Sequence, residues 1–256
     1  MESQTALLLL GATDLAVAGA FAYVGLAFAR RPQSGEGRLA ARLFRVWWFG
    51  IALAGVGAAL ASMLASRDAD PRHLDAVNLA SLAAYAAALV GFVTYLDYLY
   101  RGSHRLLVPV AAGFAALVAW SVVDGLANPA TGYALTAWRP VPIRAASFGP
   151  PPALTAALLL IPTLASVVAY ASLLRRAPAA ACARIRLVSL SLALWLAGAG
   201  VTSFPGLGDR LDVQALGRGL IVLAAFGVLR AYGSAPPRAS AEARRDRLAA
   251  RVAELI

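Results

Sequence analysis

Residues 6–28 read ALLLLGATDLAVAGAFAYVGLAF, an apolar run interrupted by one charge, Asp14. At about 1.5 Å per helical residue, such a run crosses a hydrocarbon core of about 30 Å. In lipid the backbone must satisfy its own hydrogen bonds, which leaves helices and closed barrels. Alanine and leucine runs without strict alternation favour the helix. The segment starts with the acidic Met1-Glu2 and is followed directly by Arg30 and Arg31, so it reads as a retained span rather than a cleaved signal.

The whole chain follows this pattern. Of its 256 residues, 60% are hydrophobic and 14% charged, against about 25% charged in soluble domains. Seven apolar segments stand out, at about 6–28, 43–65, 76–99, 105–126, 151–174, 184–204 and 211–231. The expected fold is therefore all-α: a polytopic membrane protein with a seven-transmembrane-helix bundle over residues 1–232. Residues 233–256 form a cytoplasmic tail, in which Ser240 starts a short basic amphipathic helix bearing Leu248, Val252 and Leu255 on one side.

The net charge is +10, and every one of the 23 basic residues is arginine. The absence of lysine excludes Schiff-base chemistry and a phosphate-loop lysine. Arginines fall mainly in the first, third and fifth loops and the tail. Only Arg67, Arg72, Arg139, Arg144 and Arg210 lie in the other loops. By the positive-inside rule the N-terminus is outside and the C-terminus cytoplasmic. The membrane is expected to be the inner (plasma) membrane of a bacterial or archaeal cell. The arginine placement follows topology rather than a nucleic-acid surface.

Charges inside spans are costly and invite a functional reading. Asp14 and Arg218 lie at matching depths in the first and last spans, which are neighbours in a closed bundle. They are expected to form a buried ion pair, either a clamp or part of an anion site. Asn78, Asp124, Asp212 and Gln214 fall toward the same outer half. With Asp14 and Arg218 they suggest a ligand-binding polar pocket open to the outside.

Asp97 is expected to pair locally with Arg101. Trp47, Trp48, Tyr95, Tyr98 and Tyr100 sit near cytoplasmic span ends, where an aromatic belt competes with a role in lining a site. In the longest loop, about 127–150, the alternation of Tyr133, Leu135 and Ala137 allows a short hairpin, serving as a lid or a structural plug. Pro162, in mid-span five, should kink its helix. Gly198, Gly200, Gly217, Gly219 and Gly227 allow close contact between helices.

No catalytic residues are expected. His73 and His104 fall on opposite sides of the membrane, no zinc spacing occurs, and neither a metal nor a cofactor is predicted. The single cysteine, Cys182, supports no disulfide framework.

Leu211-Asp212-Val213-Gln214-Ala215 followed by Gly219-Leu220-Ile221 resembles the last helix of microbial rhodopsins. Leu216, Gly217 and Arg218 stand where the retinal lysine would be, so a retinal chromophore is excluded. The layout also resembles the seven-helix N-terminal membrane region of some bacterial sensor histidine kinases: short-looped spans, a long outer loop before span five and an arginine-flanked helix after span seven. Such a resemblance implies a sensor. Arg42-Leu43-Phe44-Arg45-Val46-Trp47-Trp48 and Tyr95-Leu96-Asp97-Tyr98-Leu99-Tyr100-Arg101-Gly102 are similar to segments of uncharacterised prokaryotic seven-span proteins, a likeness that implies no activity.

The sequence thus points to a non-enzymatic, receptor-like or ligand-binding membrane protein. The alternatives are a small transporter of a lipid or weakly polar solute, and a structural subunit of a membrane complex. Expected partners are membrane lipid, a small-molecule or lipid ligand and a cytoplasmic or membrane protein, with no nucleic acid.

Overall fold

The computed structural model describes residues 2–30, 38–101, 104–136, 139–174, 179–203 and 210–233. These build helices α1 (Glu2–Ala29), α2 (Arg38–Ala65), α3 (Pro71–Arg101) and α4 (Leu107–Ala127). Strands β1 (Gly132–Thr136) and β2 (Arg139–Ile143) follow, then α5 (Pro152–Leu173), α6 (Ala179–Ser203) and α7 (Leu211–Gly233). Among the described residues, six helical segments are long and apolar enough to cross a membrane: Gln4–Ala29, Ala41–Ala65, Pro71–Tyr98, Leu107–Ala127, Cys182–Thr202 and Leu211–Ala231. The protein is an all-α polytopic membrane protein carrying one small hairpin. The basic tail helix expected after Ser240 lies outside the described residues.

The helices pack as neighbours in chain order from α1 to α4, and again from α5 to α7. Contacts between α1 and α7, and between α3 and α5, join the two sets into a bundle. The hairpin pairs Gly132 with Ile143 through to Thr136 with Arg139 and packs against α2 and α3 at one end. That end, where α3 and α7 begin and α2, α4 and α6 finish, is the hairpin end.

The core sits in the opposite half. Phe44, Trp47, Trp48, Ile51 and Ala52 recur at i, i+3, i+4, i+7 and i+8 along α2 and are all buried. They meet Phe21, Val24 and Phe28 of α1, Phe92 and Tyr95 of α3, Val188, Leu192 and Trp195 of α6, and the α7 residues from Ala224 to Ala231. Trp47 stacks on Phe92 with ring centroids 4.2 Å apart and on Trp195 at 5.2 Å, while Trp48 contacts Phe21 at 5.3 Å. Trp47 and Trp48 are each 1% exposed, so they are core residues and not an interfacial belt. The reason is that α2 already begins at Arg38, which puts both indoles more than two turns inside the helix.

Close helix approach depends on glycine where α6 meets α7. A Cβ on Gly198 would come 2.5 Å from the Gly217 carbonyl oxygen, and one on Gly217 would come 2.9 Å from that of Gly198. Gly200 and Gly219 have nothing within 4 Å of a Cβ and take no part in the contact. Gly198→Ala should therefore cost about 1–3 kcal/mol, because neither backbone can give way easily. Gly200→Ala should be neutral or slightly stabilising. Thermal unfolding of the two variants in detergent checks the contrast, and equal Tm values would refute the contact.

Candidate functional site

Three polar groups sit inside the bundle toward the hairpin end and are linked in series. The Arg218 guanidinium meets the Asp14 carboxylate two-pronged, Nε to Oδ1 at 2.6 Å and Nη2 to Oδ2 at 3.0 Å. Its Nη1 donates to Oε1 of Gln214, one turn earlier on α7. Gln214 Nε2 donates to the Thr202 carbonyl of α6 at 3.0 Å. The Thr202 hydroxyl turns back to its own helix, at 3.0 Å from both the Gly198 and the Ala199 carbonyl oxygens. The close α6–α7 contact at Gly198 and Gly217 brings these groups within reach. Gln214 is fully buried, and the side chains of Arg218 and Asp14 are 8% and 15% exposed. A buried guanidinium is tolerable when paired and hydrogen-bonded in this way.

The hairpin brings a further cation to this place. Arg139, the first residue of β2, lies within electrostatic range of Asp14, Arg218 and Tyr85. The protein packed around it pulls the Arg139 pKa below the usual arginine value. Asp14 and Tyr85 oppose that shift, and Arg218 adds to it. Arg139 nevertheless remains exposed to solvent. Arg139 is thus an exposed cation on the hairpin within electrostatic range of groups on α1, α3 and α7. Among the described residues, no carboxylate lies within ion-pair distance of Arg139. With the Asp14–Arg218 pair neutral, Arg139 is the positive charge left over there among the described residues.

A second polar knot holds the hairpin in place. Asn78 Nδ2 donates to the Pro140 carbonyl, next to Arg139, at 3.0 Å. The Tyr133 hydroxyl lies 2.9 Å from the Ala65 carbonyl oxygen and 3.1 Å from an Asp68 carboxylate oxygen. Burial and that carboxylate push the Tyr133 pKa up. Arg144 binds Asp75 at 2.5 Å and donates to the Asn128 carbonyl at 2.6 Å. Asp124 accepts from the Ser147 hydroxyl at 2.8 Å, the Phe148 amide at 3.0 Å and the Asn128 side chain at 3.0 Å, with Arg144 at 3.7 Å.

The structure therefore brings together only part of the expected pocket. Asp14, Gln214 and Arg218 share one cluster. Asp124 does not join them, because its oxygens are taken up in closing the loop after β2. Asp212 does not join them either: its carboxylate is 66% exposed and pairs at 2.6 Å with Arg210, two residues away. Asn78 contributes indirectly, by fixing the strand that carries Arg139.

Arg139, Tyr85 and the Asp75–Arg144 pair were not singled out by the sequence reading. Asp75 and Arg144 are 69 residues apart, and no local spacing relates them. Asp97 accepts from the Leu106 amide at 3.0 Å and so ties α3 to the start of α4. The Arg101 side chain, its expected partner, lies outside the described residues.

Comparison with known proteins finds no matching family model, no matching curated protein and no matching solved structure.

If Asp14 and Arg218 stabilise each other, Asp14→Ala and Arg218→Ala should each cost about 3–5 kcal/mol, since each strands a buried partner. The double variant should then cost clearly less than the sum. Thermal or denaturant unfolding of the four proteins measures this, and additivity would disprove the coupling.

Proposed function

We propose that the protein is a receptor-like, non-enzymatic membrane protein that binds a small anionic ligand in a mouth between the hairpin and helices α1, α3 and α7. The observation that carries this reading is Arg139, an exposed cation on the hairpin within electrostatic range of the mutually neutralised Asp14–Arg218 pair. Electrostatic attraction in a partly desolvated cleft favours an anion there, and a guanidinium suits carboxylate or phosphate oxygens. The packed aromatic layer of Trp47, Trp48, Phe92 and Trp195 beneath the mouth favours binding over passage.

In this reading all seven helices cross the membrane. The N-terminus and hairpin end face outward, and the C-terminus and arginine-rich loops face the cytoplasm of a bacterial or archaeal cell. A ligand arriving from outside would meet Arg139 first. The cytoplasmic loops and tail would carry the response to a protein partner.

Two experiments test the reading. Native mass spectrometry of the gently solubilised protein should find a reproducible bound small anion that is lost in Arg139→Gln. A bare wild-type chain, or an adduct indifferent to the substitution, would count against it. The orientation is tested in a Cys182→Ser background with a membrane-impermeant maleimide. Ala145→Cys at the hairpin end should label in intact cells, and Arg105→Cys only after permeabilisation. The opposite pattern would invert the topology.

A further inference from the structure

Away from Arg139, the outer face of α2 carries a recess. Val46, Phe49 and Leu53 of α2 line a groove of about 540 Å³ together with Ala29 of α1 and the small residues Ala84 and Ala87 of α3. Gly50 and, at the end farther from the hairpin, Arg42 and Arg45 complete its lining. Arg42, Val46, Phe49 and Leu53 succeed one another at i, i+4, i+7 and i+11, so they form one stripe about 16 Å long. All four are exposed, Leu53 by 62%. The apolar part of the stripe faces away from the bundle interior, where the hydrocarbon of a bilayer would lie.

We propose that this groove is a binding site for one acidic phospholipid, with its phosphate-bearing headgroup on Arg42 and Arg45 and an acyl chain along Val46, Phe49 and Leu53. Charge complementarity and shape coincide in this groove. Arginines flank many spans at the interface, but here two of them line one end of a recess whose remaining lining is apolar or small. Basic recesses between helices recognise anionic headgroups in this manner. Arg45 donates from Nε to the Ala41 carbonyl at 3.3 Å, which holds its stem along the helix beside the groove. The site is separate from the mouth and does not depend on the proposed function. Its leaflet follows the topology, but its existence does not.

The test places the full chain in nanodiscs containing equal amounts of phosphatidylglycerol and phosphatidylcholine and counts lipids retained in native mass spectrometry. Wild type should keep phosphatidylglycerol in preference. Arg42→Gln with Arg45→Gln should lower the preference by about fivefold for each arginine, while the basic tail stays intact as an internal control. Ala87→Trp leaves both charges in place but fills the groove, and it should lose the retained lipid as well. Unchanged thermal unfolding would show that both variants are folded. Equal retention of the two lipids by wild type would overturn the proposal, as would a wild-type preference in the double arginine variant. An unaffected Ala87→Trp protein would overturn the groove as the place of binding.

Discussion

An arginine side chain inside a membrane helix must find a partner, because the guanidinium does not give up its charge at any ordinary pH. Arg218 sits two turns into α7 and is 7% exposed. Its partner, Asp14, stands on α1, so the first and last helices must be neighbours and in one axial register. Gln214 extends the same constraint to α6 through the Thr202 carbonyl. The three-helix connection fixes where α7 begins relative to α1, and with it the geometry of everything above the pair. Burying the pair is not a route to stability in itself, since desolvation offsets most of the Coulomb gain. Its effect is to exclude arrangements that would leave either charge alone in hydrocarbon.

The bundle is divided along its length. The half away from the hairpin is filled by stacked rings, and the hairpin half holds the Asp14–Arg218–Gln214 cluster and the hairpin's polar contacts. This division follows from α2, whose inward positions are aromatic from Phe44 to Trp48 and become small beyond Ile51, with Ala52 and Ala59. Small residues let the helices approach closely there, a Cβ on Gly11 lying 3.3 Å from the Ala59 carbonyl oxygen and one on Gly55 3.2 Å from Ala18, and the hairpin packs on α2 and α3 at this end. The hairpin cannot rest there on its own strand pairing, because two strands are marginal in isolation. Asn78, Tyr133 and the Asp75–Arg144–Asp124 knot supply the attachment, all of them side chains reaching across long sequence separations. A short strand pair tied down in this way presents Arg139 at a fixed place rather than on a free loop.

The helical layout was legible because composition alone forces it: long apolar runs in lipid can only be helices or barrels. The partnership of Asp14 and Arg218 was legible for a related reason, since two opposite charges at equal depth on helices adjacent in a ring have few other options. The fate of Trp47 and Trp48 was not. An indole near a span end looks the same in sequence whether it turns toward headgroups or inward, and the true start of α2 at Arg38 decides between them. Asp124 and Asp212 were misplaced because polarity near a span end says nothing of direction. One is spent on Ser147, Phe148 and Asn128, and the other on Arg210. Arg139 escaped attention because a loop residue's reach depends on how the loop is pinned, and the pinning contacts are tertiary.

The proposed ligand mouth requires water and the Arg139 charge to meet between the hairpin and the Asp14–Arg218 pair. It is tested most directly by placing a thiol at Tyr85, the phenol that shares this space, in a Cys182→Ser background. The rates of modification by small anionic and cationic thiosulfonates of equal size are then compared. The account predicts reaction from the hairpin side, faster with the anionic reagent, with the advantage lost when Arg139 is changed to Gln. No reaction with either reagent would contradict the water-accessible mouth, and a faster cationic reagent would contradict its charge.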